Sequence, residues 1–139
     1  MLVQPLLRQP DDYGEGHYGA SRGSRTHKGI DFCAVPNQLV CSHIDGIVSK
    51  LGYPYVDDLS FRYVEITTAS GFSHRFFYVE PDPLLHLNDE VKVGEVIGKC
   101  QDSGIRYNKN GKTITNHVHY EVVTYEDGKK VYHDPNGFI

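Results

Sequence analysis

His117-Val118-His119-Tyr120-Glu121-Val122-Val123-Thr124 reads as a β-strand. Successive side chains on a strand point to opposite faces, so His117 and His119 project from one side while Val118 and Tyr120 turn to the other. One face carries polar chemistry and the other belongs to a core. Downstream, Glu126-Asp127-Gly128-Lys129 reverses the chain toward Val131-Tyr132.

The rest of the chain follows the same pattern. Arg62-Tyr63-Val64-Glu65-Ile66-Thr67-Thr68 alternates, and Ala69-Ser70-Gly71 turns it into Ser73-His74-Arg75-Phe76-Phe77-Tyr78-Val79, a hairpin. Leu39-Val40-Cys41-Ser42 and Gly46-Ile47-Val48-Ser49 flank a segment ending in Asp45-Gly46, which predicts a second hairpin. Val91, Val93 and Val96-Ile97 surround Gly94. No amphipathic helix, internal repeat or linker stands out, and residues 53–60 and 99–115 read as long loops of the kind that shape a groove. The aromatic set Tyr53, Tyr55, Phe76, Phe77 and Tyr78 is read as core and loop packing.

Far upstream, His27-Lys28-Gly29-Ile30-Asp31 repeats the logic of the histidine strand. The period of two puts His27 and Asp31 on one face, leaves room beside Gly29 and turns Ile30 and Phe32 inward. Two imidazoles and a carboxylate from distant segments make an open zinc set, with three protein ligands and a fourth position for water or substrate. Cys33, Cys41 and Cys100 lack the short paired spacings of a structural zinc site. Cys33 would share the face of Asp31 if the strand ran on. His17, His43 and His133 carry no such pattern.

These stretches, in order, resemble the LytM/lysostaphin-type zinc metallopeptidases that cut peptidoglycan peptides. The resemblance rests on Arg22 to Asp31, on Asp45-Gly46-Ile47-Val48, on Val91-Lys92-Val93-Gly94-Glu95-Val96-Ile97-Gly98, and on Asn116 to Glu121. It implies an all-β, compact two-layer antiparallel fold with a cleft walled by long loops. It further implies Zn2+ held by His27, Asp31 and His119, with His117 as a catalytic histidine that does not bind metal. The implied function is zinc-dependent hydrolysis of a cell-wall peptide bond, with a peptidoglycan peptide as partner.

One departure bears on that activity. The family carries a second catalytic histidine in a Tyr-x-His stretch, and Phe77-Tyr78-Val79-Glu80-Pro81 has Glu80 in its place. A strand end of this kind resembles that of the leukocyte-derived chemotaxin of animals, a relative that keeps the zinc ligands without established proteolysis. Glu80 is therefore expected either to act as a base, as carboxylates do in many zinc hydrolases, or to mark a zinc-binding module that recognises wall or protein without cutting. His74 and His86 flank the gap and could also reach in.

Length and charge set the outer bounds. A chain of 139 residues fits one domain, 1–139, that can bury a core without disulfides. The net charge of −4, with no basic stripe, argues against a nucleic-acid partner. No segment is long enough to span a bilayer, and oligomeric state is not legible. Met1-Leu2-Val3-Gln4-Pro5-Leu6-Leu7-Arg8 does not read as a secretory leader, so synthesis in the cytoplasm and action at the wall or periplasm after lysis or phage delivery is the expectation.

Overall fold

Half-apolar strands must bury their apolar faces against another layer, and the computed structural model of the protein does so with two packed sheets. It describes residues 19, 21–22, 25–26, 28–107 and 115–139. His17, Tyr18, His27 and the first eight residues lie outside the described residues.

The strands, in chain order, are β1 (Ser21–Arg22), β2 (Arg25–Thr26), β3 (Ile30–Cys33), β4 (Leu39–Cys41), β5 (Gly46–Gly52), β6 (Tyr63–Thr67), β7 (Ser73–Phe77), β8 (Val79–Pro81), β9 (Glu90–Val91), β10 (Val96–Cys100), β11 (His117–Glu126) and β12 (Lys129–His133). Among the described residues, a seven-stranded sheet has the order β12-β11-β7-β6-β5-β9, with β3 added on β11. A three-stranded sheet has the order β4-β10-β8, β1 pairs with β2, and the pairings are antiparallel. The helical elements described are a single turn, α1 (Gly104–Tyr107), and a 3-10 turn at Pro135–Phe138 capped by the Asp134 side chain. The expected all-β, two-layer antiparallel architecture is what the chain adopts.

The core lies between the sheets. Val40, Val79, Ile97 and Cys100 of the smaller sheet meet Ile30, Phe32, Val64, Ile66, Phe76, Val118 and Tyr120 of the larger. Burying an aliphatic or aromatic side chain of this kind contributes about 1.5–3 kcal/mol, and here it fixes which face of each strand turns outward. Ile30 and Phe32 point inward as their alternation predicts, and so do Val118, Tyr120 and Val122.

Two of the three expected hairpins form. β6 and β7 pair from Tyr63↔Phe77 to Thr67↔Ser73, with Gly71 at positive φ in the turn. β11 and β12 close at Glu126↔Lys129, and Asp127 and Gly128 both take the positive φ that a tight two-residue turn of this hand demands. The third does not form: β4 pairs with β10 and β5 with β6 and β9, so Asp45-Gly46 links two sheets. The competing partner is the loop before β10. Ser42 accepts from the Gly94 amide and donates its own amide to Glu95, while the Asp45 carboxylate accepts from the Val93 amide.

Candidate metal centre

β11 places the site because both of its edges are occupied. β7 pairs with residues 119–123, while β3 pairs with 117–120 and β12 with 122–126, so β3 and β12 follow one another along the opposite edge. The register sets His119 opposite Asp31 on β3 and opposite Phe77 on β7, and sets His117 opposite Cys33. Residues 88 apart in sequence are thereby brought into contact: His119 Nδ1 lies 2.7 Å from Asp31 Oδ1. Gly29 permits the approach. A Cβ there would strike the Tyr120 carbonyl oxygen and come within 2.8 Å of His119 Cε1.

His117 shares that carboxylate. Its Nε2 is 3.7 Å from Asp31 Oδ2, and its Nδ1 is 2.7 Å from the Thr115 carbonyl oxygen. A carbonyl only accepts, so Nδ1 carries the proton and the neutral ring has its basic nitrogen at Nε2, on the side of Asp31. The Tyr78 ring stands edge-on to His117 and the Phe77 ring edge-on to His119, each with centroids 5.3 Å apart. Two members of the aromatic set thus border the site, whereas Phe76 is core and Tyr55 bonds the Tyr78 hydroxyl at 2.7 Å.

The second nitrogen of His119 meets Glu121, with Nε2 3.0 Å from Oε1. Burial disfavours charge on this imidazole, yet its hydrogen bonds to Asp31 and Glu121 outweigh that and push its pKa up to about 9. Two carboxylates therefore favour a cation here. A metal held at Nδ1 would meet the same Asp31 carboxylate.

The donors suit zinc in kind, because carboxylate oxygen and imidazole nitrogen are its usual ligands. Of the expected set, Asp31 and His119 are in contact, while His27 lies outside the described residues. Among the described residues no three donors converge on one point. Cys33 sits opposite His117 on β3, on the face of Asp31, and the three cysteines are not joined by disulfides.

Glu80 is the residue at which the chain departs from the family pattern. It is exposed on β8, in register with Lys99 of β10, whereas Val79 before it is fully buried. The other flanking candidates do not reach in. His74 is 1% exposed on the core side of β7, 2.6 Å from the Tyr120 hydroxyl, because its strand parity is opposite to that of Phe77. His86 is exposed, 3.8 Å from Asp89. The Thr115 carbonyl, Tyr78 and Glu121 went unassigned in the sequence. Parity offered a signal for Glu121 alone, two residues beyond His119.

With this geometry in place, the likeness to known proteins is specific. The pattern of peptidase family M23 matches residues 25–135. Over 115 residues the chain is 27% identical to mouse leukocyte cell-derived chemotaxin-2, covering 83% of this chain and 72% of that protein. Its fold is similar to the catalytic domain of the prophage-encoded M23 protein EnpA from Enterococcus faecalis, with a TM-score of 0.66 and 22% identity over 94% of this chain and 91% of that one. It is likewise similar to the catalytic domain of the antimicrobial peptidase lysostaphin from Staphylococcus simulans, with a TM-score of 0.64 and 18% identity over the same shares.

Proposed function

The chain belongs to peptidase family M23, and from that premise we propose that it is a zinc-dependent endopeptidase hydrolysing a peptide bond of peptidoglycan. The observation that carries the reading is the paired use of Asp31, with His119 Nδ1 on one oxygen and the basic nitrogen of His117 near the other.

In this reading His27, Asp31 and His119 hold the metal. When bound, zinc supplies a Lewis acid that acidifies water and polarises the scissile carbonyl. His117 accepts the water proton at Nε2 and passes it to the leaving amine, its ring kept in that tautomer by the Thr115 carbonyl. The edges of Tyr78 and Phe77 limit how far either imidazole can turn. Asp31, 2% exposed, stays in contact with both rings and links binding to proton transfer.

The test is release of new amino groups from purified peptidoglycan by zinc-loaded protein. His117→Ala is expected to keep zinc and lose release by about 10²–10⁴-fold, the usual contribution of a positioned base, while His119→Ala loses the metal. Equal zinc loss in the two variants would refute the division of roles.

A second reading is favoured by one observation, that an exposed carboxylate, Glu80 on β8, stands where the family's second catalytic histidine is expected. The chain would then be a zinc-ordered module that binds wall or a protein partner without cutting. Stoichiometric zinc with no amine release from several wall types would decide for it.

A further inference from the structure

We propose that Glu121, set opposite Arg75 across the sheet, is a positioning residue that fixes the tautomer and orientation of His119 and thereby sets the affinity of the site for metal. The inference rests on the reading of His119 as a metal ligand.

The argument begins with strand parity. Glu121 follows His119 by two residues, so both project from the same face of β11, and its Oε1 accepts from His119 Nε2 at 3.0 Å. That contact fills the ring nitrogen remote from Asp31 and leaves Nδ1 as the nitrogen presented to Asp31 Oδ1. Metal-ligating histidines generally use their second nitrogen in this way, and a carboxylate there raises the basicity of the ligand.

Glu121 is itself placed by its neighbours across the sheet. Register sets it opposite Arg75 on β7, and Arg75 opposite Glu65 on β6, so three charged side chains form a row across three strands. All three are buried, between 6% and 8% exposed. Arg75 Nε donates to Glu65 Oε2 at 2.7 Å, and the Ser49 hydroxyl donates to Glu65 Oε1 at 2.8 Å. The guanidinium is fully charged: burial opposes the charge, but Glu65 overcomes it and raises the pKa above its ordinary value. Its Nη1 lies 3.9 Å from Glu121 Oε2.

The row does not balance within itself. Arg75 bonds Glu65 and only approaches Glu121, and no hydrogen-bond donor among the described residues reaches Glu121 Oε2. A buried carboxylate left in that state is costly unless a cation lies close. Its one short polar contact is His119. The carboxylate behind the ring is thus left to hold His119 Nε2, a contact that a purely structural ion pair between Arg75 and Glu65 would not require.

The test measures zinc affinity of the full chain by competition with a chromophoric chelator, for wild type, Glu121→Ala and Glu121→Gln, with thermal melting of the metal-free proteins alongside. Glu121→Ala is expected to weaken zinc binding about 10–100-fold, and Glu121→Gln to recover part of the loss because its amide oxygen accepts the same bond. Nitrogen NMR of the zinc-loaded wild type should show His119 protonated at Nε2. Unchanged affinity in Glu121→Ala overturns the proposal while leaving the metal site standing. If Glu121→Ala fails to fold, a His119 ring protonated at Nδ1 in the loaded wild type overturns it equally. A wild type that binds no zinc removes the functional reading itself.

Discussion

At the residue scale, the proposed catalysis turns on Glu80, which stands where the family carries a histidine. An ionised carboxylate repels a developing oxyanion, so it can stand in for a base more readily than for a stabilising imidazole. In the proposed mechanism the base is His117, whose Nδ1 is held by the Thr115 carbonyl. Glu80→His is accordingly expected to raise amine release from peptidoglycan by up to about 100-fold; a fall instead would make Glu80 a working catalytic group. That His117 and His119 share a face was legible from spacing because strand parity is a local property, whereas the roles of Asp31, His117 and His119 were implied only by the resemblance. Glu121 was quoted in the motif but not recognised, since its meaning depends on Arg75, 46 residues away in sequence and opposite it in register.

At the element scale, the close approach of β3 to β11 is what makes Asp31 and His119 neighbours, and it depends on Gly29. A methyl group there meets the Tyr120 carbonyl, part of the backbone that cannot swing aside, and crowds the His119 ring. Gly29→Ala should therefore cost about 1–3 kcal/mol of stability, the usual penalty of overpacking, read as a lower denaturant midpoint together with weaker zinc binding. An unchanged midpoint would mean that β3 can shift without loss. The hairpins β6-β7 and β11-β12 were readable because each is closed by its own turn residues. The supposed hairpin at Asp45-Gly46 was not, because Ser42 and Asp45 are claimed by the loop at residues 93–95, a partner no local pattern reveals.

At the scale of the whole molecule, the core face of the site strand sets an acid limit. The Tyr120 hydroxyl lies 2.6 Å from His74 Nδ1 and 3.0 Å from His43 Nε2, and burial lowers both imidazoles to about 4. The folded pKa lies below the ordinary 6.5, so the unfolded chain takes up these protons first. The stability conferred by the neutral rings is complete above pH 6.5 and is lost as pH falls toward 4. Denaturant unfolding across that window should show a progressive loss of stability as pH falls, with a shallower slope in His74→Phe; an equal slope would place the acid sensitivity elsewhere. The sequence by itself determined the all-β class, the faces of the strands and the donor types at the site, because alternation and side-chain chemistry are written residue by residue. Only the tertiary structure decided which strands pair, that β3 and β12 share one edge of β11, that His74 turns into the core, and that Glu80 faces solvent. Pairing is a competition among distant edges for the same hydrogen bonds, and it is settled by how the two layers close over a common core.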